Sequence, residues 1–257
     1  MSESLVRTDL HPLSSHAWRQ QCRTQLHQQG ALVLRNFLQP AALAAIVAEG
    51  DAQRHRAYHT QSKHNVYLMK TDPAFSDTHP RNREVSSTKG CITDDVIALD
   101  SPLRQLYDDA LFQAFLCEVL DEGALYPYAD PLSSINLHYA SHGKELGWHF
   151  DNSSFAITLL VQKPTGGGRF QYVKDLRDAD AGEMNYPGVA DVLDEQQPVE
   201  ELAIEAGDLV LFRGRNSLHR VTPTEGDVTR MLAVLAYNTA PGIALSETAR
   251  MTFYGRL

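Results

Sequence analysis

The chain has 257 residues, of which 43% are hydrophobic and 21% charged, so it is expected to fold as one substantial globular domain or a large β-domain with helical additions, and not to be disordered. Its net charge of −9 argues against a nucleic-acid backbone or an anionic membrane as the main partner. Three widely spaced cysteines, no signal-peptide pattern at the start and no apolar run of membrane-spanning length predict a cytoplasmic protein.

Helix signals dominate the first part of the chain. Ser15 is placed to cap a helix that Gly30 would end, and a second helix is predicted to begin near Pro40. Between them, residues 31–34 form a short apolar run typical of a buried strand.

The next stretch, residues 54–100, is polar and gives no clear periodicity. The pair Ser101-Pro102 then opens a strong helix that is predicted to continue to Gly123. Residues 1–130 are therefore expected to form a mainly helical N-terminal part of a single domain that spans residues 1–257.

Short β-like runs separated by Gly-, Pro- and Asp-containing turns replace the helical pattern after Tyr126. Many short strands of this kind favour a jelly roll or sandwich with packed helices, built from residues 131–257. The acidic segment 175–197 is predicted to be a long loop that could cover a pocket mouth. The predicted strands cover residues 135–140, 155–162, 169–174, 199–204, 209–212 and 230–237.

Two residues with metal-binding side chains, His149 and Asp151, stand two positions apart in this β-rich part. On a strand both side chains leave the same face, while Trp148 and Phe150 leave the other. With His219 as a third donor, these groups match the 2-His-1-carboxylate set that binds non-haem Fe(II) on one face. The alternative is an ordinary surface strand that carries two polar residues.

A basic residue, Arg230, opens an apolar strand 11 residues after His219 (230 − 219). A charge in that position is expected to point into a pocket and meet an anion. The alternative is an edge residue that pairs with Asp227 or Glu225.

Together these residues resemble the Fe(II)- and 2-oxoglutarate-dependent oxygenases of the double-stranded β-helix superfamily. The resemblance implies an α+β fold with a jelly-roll, cupin-like core and packed N-terminal helices. It also implies that His149, Asp151 and His219 bind Fe(II) at the catalytic centre, where 2-oxoglutarate and O₂ complete the coordination. Arg230 would bind the distal carboxylate of 2-oxoglutarate, with Thr229 or Thr239 as an added hydroxyl donor. The matching motifs are His149-x-Asp151, Gly167-Gly168-x-Phe170, residues 207–212, His219, Arg230 and the N-terminal segment 30–38.

Within that superfamily, residues 136–139, 142–143 and 147–151 resemble the branch of radical halogenases of free amino acids and their hydroxylase relatives. In the halogenases a small residue replaces the carboxylate ligand and leaves room for chloride, whereas this chain keeps Asp151. The resemblance therefore implies hydroxylation of an unactivated C–H bond in a free amino acid, lysine-like or another small polar molecule, with release of succinate and CO₂.

Substrate contacts are predicted from polar residues near these motifs. Arg83 is the candidate clamp for a substrate carboxylate and Arg81 its alternate, although a solvated charged loop explains both equally well. His138 shares the polar face of the strand over residues 135–140, where the alternative is a solvent-facing side chain. The remaining candidates are His142, Asn152, Asn238 and Tyr254, and the first three also fit ordinary loop, turn or capping positions.

Three other functions compete with this hypothesis. They are a peptidyl or protein hydroxylase, a radical halogenase, and a metal-binding scaffold without turnover. The sequence predicts a small-molecule partner, no nucleic acid and no membrane, and it leaves a homodimer open.

Overall fold

The computed structural model describes residues 5–257, so the first four residues, on which the prediction of no signal peptide partly rests, lie outside the described chain. Within that range no helix combines the length and apolar character that a bilayer crossing requires. The α-helices are α1 (His16–Gln29), α2 (Pro40–Gln53), α3 (Pro102–Asp108), α4 (Ala110–Leu120), α5 (Tyr186–Leu193) and α6 (Glu247–Tyr254).

Helix boundaries follow the capping residues. The Ser15 hydroxyl accepts a hydrogen bond from the backbone N–H of Trp18, and Gly30 ends α1 in the left-handed region at φ 71°. The single helix predicted from Pro102 to Gly123 is instead two helices. Asp109 has an extended backbone (ψ 118°), and its carboxylate caps α4 through the N–H of Phe112 at 2.7 Å. An aspartate stabilises a helix start more than a helix interior, which explains the break.

The strands run antiparallel, and the six strands predicted after Tyr126 are present with bounds that agree to within two residues at each end. Their bounds are β1 (Ala31–Leu34), β2 (Tyr58–Asn65), β3 (Glu84–Ile92), β4 (Ile135–Ala140), β5 (Leu146–His149), β6 (Ala156–Gln162), β7 (Gly166–Gly167), β8 (Phe170–Val173), β9 (Glu200–Leu202), β10 (Leu209–Phe212), β11 (Leu218–Val221), β12 (Thr224–Glu225) and β13 (Arg230–Leu235).

Two layers arise from a strongly curled sheet. The large layer has the order β1-β10-β6-β13-β4-β3, with β2 added on β3, and the small layer has the order β5-β11-β8-β9. The pair Ser87–Leu146 joins β3 to β5 and so links the layers. This arrangement is a jelly roll, and together with the helices it confirms the predicted α+β, cupin-like fold class.

The main hydrophobic core lies between the helices and the outer face of the large layer. Side chains of α1, α3 and α4 pack there against alternate residues of β6, namely Ile157, Leu159 and Val161. Because side chains alternate along a strand, Thr158 and Leu160 face the interior between the two layers. The interior is where the functional side chains converge.

Residues 1–130 are less purely helical than predicted, because they also supply β1, β2 and β3. β2 is largely exposed on both faces, so it has no apolar alternation, and this explains why residues 54–100 gave no signal. Strand β3, by contrast, is an integral part of the curled sheet.

A second core covers the outer face of the small layer. Trp148 and Phe150 pack there with Val189 and Val192 of α5. Segment 175–197, predicted to be a loop, therefore contains a helix, and this helix supports β5 from the side opposite to His149.

Asp208 ties the N-terminal strand to the jelly roll, and its loss is expected to destabilise the fold. Its buried carboxylate accepts hydrogen bonds from the N–H of Asn36 (2.7 Å) and the N–H of Glu205 (2.9 Å). Asp208→Ala leaves both donors unpaired and should lower the free energy of unfolding by about 2–4 kcal/mol in chemical denaturation. Asp227→Ala, at an exposed position, should change it by less than about 0.5 kcal/mol. Equal effects of the two changes would contradict this role.

Candidate metal centre

The two histidines face each other across neighbouring strands. His149 on β5 and His219 on β11 are register partners, and their ring centroids lie 4.1 Å apart. Both side chains point into the interior, and the residues are 8% and 4% exposed. Asp151 follows the end of β5, and its backbone N–H donates to the carbonyl of Gly214 at 3.0 Å.

Three hydrogen-bond acceptor atoms, each with a lone pair to donate to a metal, converge at this point. Asp151 Oδ1 lies 3.6 Å from the Nε2 atoms of both His149 and His219. Each Nδ1 lies within hydrogen-bond distance of a backbone carbonyl, Gly147 O at 2.8 Å and Ser217 O at 3.0 Å. A carbonyl accepts only, so Nδ1 carries the proton and Nε2 presents a lone pair. Three such acceptors without a donor between them are stabilised by a cation.

Electrostatics favour the ligand forms of these groups. Burial lowers the pKa of His149, and the neighbouring His219 lowers it further, so the imidazole is neutral at pH 7. For Asp151, burial alone would raise the pKa, but the positive charge and hydrogen bonds that His219 and His149 supply when protonated outweigh burial and hold the pKa well below its usual range. A neutral imidazole and an ionised carboxylate are the states that bind metal.

The donor set fits Fe(II). The three ligand atoms lie within 4.8 Å of one another, and Asp151 Oδ2 is buried without a hydrogen-bond partner. Two imidazoles and one carboxylate are the ligand types of the non-haem iron centre predicted from the sequence.

Gly214 leaves the space that the Asp151 carboxylate occupies. A Cβ added at this position would lie 1.8 Å from Asp151 Oδ2, although the backbone of Gly214 is not in the left-handed region. Gly214→Ala should therefore displace the carboxylate and weaken iron binding by more than about tenfold, measured by metal titration of the purified protein.

The matched control is Gly123→Ala, where an added Cβ meets no atom within 4 Å. That variant should bind iron as the parent does. Circular dichroism of both variants checks that the fold is retained. Unchanged iron affinity in Gly214→Ala would show that the carboxylate does not bind the metal in this position.

A second functional group, Arg230, lies at one end of the interior. It is 7% exposed, and its Nε has no hydrogen-bond partner. Neither Asp227 nor Glu225 forms an ion pair with it in the described chain, so the edge-residue alternative is not what the structure contains. Burial lowers its pKa to about 10, which still leaves the guanidinium charged at neutral pH.

The space beside Arg230 suits a small anion. A cavity of about 280 Å³ is lined by Arg230, Leu160, Phe170 and the turn over residues 166–168. The ring of Phe170 stacks on His219 with centroids 5.6 Å apart, so one cavity wall contacts a metal-ligand side chain. A cavity of this size beside a buried guanidinium has room for a small dicarboxylate.

The two threonines predicted to assist Arg230 do not line this cavity. Thr229 is buried, and its carbonyl accepts a hydrogen bond from Gln162 Nε2 at 2.8 Å. Thr239 is exposed beyond the end of β13. Side-chain alternation places Thr229 on the face opposite to Arg230.

Three predicted substrate residues meet in a second cavity, of about 440 Å³. His138, Asn152 and Tyr254 line it, together with Lys89. The Tyr254 hydroxyl donates to Asn136 Oδ1 at 2.9 Å, which fixes this wall of the cavity.

The other four candidates line neither cavity. Arg83 forms an ion pair with Asp194, and Arg81 donates to the carbonyl of Lys70 at 2.9 Å. His142 is exposed in the loop between β4 and β5, and Asn238 pairs through its backbone with Tyr126.

Sequence reasoning missed Lys89 and His64. Lys89 faces the interior from β3, and His64 packs edge-on against His149 with centroids 6.4 Å apart. Both residues belong to the polar stretch 54–100. The alternation of residues 84–92 indicates a strand but not which of its faces is buried, because a lysine usually faces solvent.

Comparisons with known proteins agree with this geometry. Among solved structures, the epimerase SnoN from nogalamycin biosynthesis is 14% identical, with 87% of this chain and 81% of that chain covered at a TM-score of 0.60. The carbocyclase SnoK, also from nogalamycin biosynthesis, is 13% identical, with 92% of each chain covered at 0.57. A prolyl-4-hydroxylase from Pseudomonas putida is 12% identical, with 84% and 98% covered at 0.53.

At identities of 12–14%, these TM-scores show a shared fold and no more. A search of curated proteins gave no match. The family model described as Halogenase D matches residues 14–252, which is most of the chain. The chain therefore belongs to the Halogenase D family.

Proposed function

We propose that the protein is an Fe(II)- and 2-oxoglutarate-dependent oxygenase that hydroxylates an unactivated C–H bond of a free amino acid or a similar small polar molecule. The observation that supports this most is the convergence of three acceptor atoms from His149, Asp151 and His219 in an interior that also holds the unpartnered Arg230. The fold shared with SnoN, SnoK and the prolyl-4-hydroxylase is consistent with it.

Each protein group has a distinct role in this proposal. Iron and 2-oxoglutarate, when bound, supply the oxidation of the C–H bond by O₂ together with the release of succinate and CO₂. The Nδ1–H bonds to Gly147 and Ser217 hold the two imidazoles in orientation. Arg230 binds the distal carboxylate, and Phe170 beside His219 excludes water from the metal side of the cavity.

Hydroxylation is favoured over halogenation by one residue, although the family takes its name from halogenases. A halogenase needs a free coordination position for chloride, and in this chain Asp151 directs Oδ1 at both histidines. The glycine at position 214 leaves room for that carboxylate. A coordination position for chloride would open only if Asp151 were replaced or moved away from the two histidines.

We further propose that the whole chain, residues 1–257, works as one oxygenase domain in the cytoplasm. Strands β1 and β3 from the N-terminal half pair directly with strands of the C-terminal half. The three cysteines are free in the described chain, as expected for a reducing compartment.

The test is an anaerobic titration with Fe(II) and 2-oxoglutarate, followed by an aerobic panel of single amino acids in chloride-containing buffer. We expect a 2-oxoglutarate-dependent charge-transfer band and, for at least one amino acid, a product heavier by one oxygen atom with stoichiometric succinate. A chlorinated product would identify a halogenase, and turnover of peptides alone a peptidyl hydroxylase. Absence of the charge-transfer band would favour a scaffold without turnover.

A further inference from the structure

We propose that the cavity of about 440 Å³ selects a substrate with a carboxylate and no cationic side chain, and that Lys89 and His138 form the carboxylate anchor. This inference rests on the proposed function and names the substrate class of the same site. It distinguishes this chain from an enzyme for lysine-like substrates.

Lys89 and His138 lie side by side on the interior face. Cys91 on β3 is the register partner of His138 on β4, and Lys89, two residues before Cys91, shares its face. Lys89 Nζ lies 3.4 Å from His138 Nε2 and 5.8 Å from the centroid of the Phe253 ring.

Among residues 5–257, no carboxylate forms an ion pair with Lys89. The lining of the cavity contains no Asp or Glu. Burial lowers the pKa of Lys89. Burial also lowers the pKa of His138, and the charges of Lys89 and Arg230 lower it further, so His138 is a neutral acceptor or donor. A desolvated ammonium is costly, and a ligand carboxylate would offset that cost.

Several other polar groups in the lining already have hydrogen-bond partners. Tyr254 donates to Asn136, and Asn136 donates to the carbonyl of Leu132 at 2.8 Å. Ser153 donates to the carbonyl of Phe155 at 3.1 Å. The anchor is therefore the one strongly charged point of the cavity.

The remaining walls are largely apolar. Val234, Ala236, Leu245 and Phe253 line the cavity and suit an uncharged substrate body. The α-ammonium lies beside the bound carboxylate in every free amino acid and so does not discriminate among them, whereas a side-chain ammonium would enter apolar walls that offer it no carboxylate. The cavity also includes Asn152, which directly follows Asp151, so a ligand anchored at Lys89 lies next to the metal-ligand segment.

The test compares binding and turnover for norleucine, lysine and norleucinamide. Norleucine and lysine differ in the side-chain ammonium, and norleucinamide lacks the carboxylate. Calorimetry is done anaerobically on the protein loaded with Fe(II) and 2-oxoglutarate, and a full set of free amino acids is screened for turnover. We expect norleucine to bind at least about tenfold more tightly than either competitor. Norleucinamide lacks the carboxylate that contacts Lys89, and lysine would bury a side-chain ammonium without a partner.

Variants of Lys89 test the anchor itself. Lys89→Gln should weaken norleucine binding about tenfold or more and leave the 2-oxoglutarate titration unchanged, while Lys89→Arg, which keeps the charge, should retain most of the affinity. Lys63→Gln on the exposed strand β2 is the matched control and should behave as the parent.

Several results would overturn the inference. Tighter binding of lysine than of norleucine, or turnover of cationic amino acids alone, would contradict the apolar selection. The anchor would be contradicted if no amino acid with a free carboxylate bound, or if Lys89→Gln weakened the binding of 2-oxoglutarate and not that of the amino acid. Failure of the proposed function looks different, because the parent protein would then show no 2-oxoglutarate-dependent charge-transfer band.

Discussion

His219→Ala is expected to abolish iron-dependent turnover and to remove tight Fe(II) binding. His219 supplies one of three ligand atoms, and its Nε2 faces Asp151 Oδ1 at 3.6 Å. Loss of a partner outside the ligand set typically costs about 10–100-fold in metal affinity or activity, so loss of a ligand should exceed that range. Metal titration and succinate release measure the two effects separately.

His27→Ala is the matched control, since His27 is an exposed residue near the end of α1. It should retain both iron binding and turnover. A thermal melt of each variant shows whether the fold survives. Normal succinate release in His219→Ala with bound iron would exclude this residue as a ligand.

Arg230→Met should weaken 2-oxoglutarate binding by about tenfold to a hundredfold, the loss expected for a charge-assisted contact in a buried cavity. The guanidinium Nε has no hydrogen-bond partner, and no carboxylate of residues 5–257 forms an ion pair with Arg230, so we expect a ligand carboxylate to be its partner. Arg230→Lys keeps the charge but not the paired donors, and it should fall between the parent and the methionine variant.

The measurement is the midpoint of the charge-transfer band as 2-oxoglutarate is added anaerobically. Arg23→Met is the control, because Arg23 lies on the outer surface of α1 and pairs with Asp121. An unchanged midpoint in Arg230→Met would place the distal carboxylate elsewhere in the interior.

The convergence of His149 and Asp151 on one side of the chain could be predicted because side chains alternate along an extended backbone. His149 and Asp151 are separated only by Phe150, so an extended backbone directs both side chains to one face, and the backbone stays extended enough for this although β5 ends at His149. Strands β4, β6, β10 and β13 were predictable for the same reason, since apolar alternation or continuous apolar character marks them.

The substrate side was harder to predict because polar residues do not reveal which face they occupy. β2 has no buried face, and β3 carries Lys89 inward, against the usual preference of lysine for solvent. Arg81 and Arg83 were as plausible from the sequence as Lys89. Only the pairing of β3 with β4 separates them, by bringing Lys89 next to His138.

Trp148 and Phe150 pack in an apolar cluster on the outer face of the small layer, and this packing makes β5 intolerant of insertions and deletions. A one-residue insertion or deletion within residues 146–149 would exchange the two faces of the strand. Both metal-binding side chains would then enter the apolar cluster with Val189 and Val192, and two large rings would enter the polar interior. A single substitution in this segment changes one side chain, whereas a one-residue shift in register would disrupt both the metal site and the apolar packing.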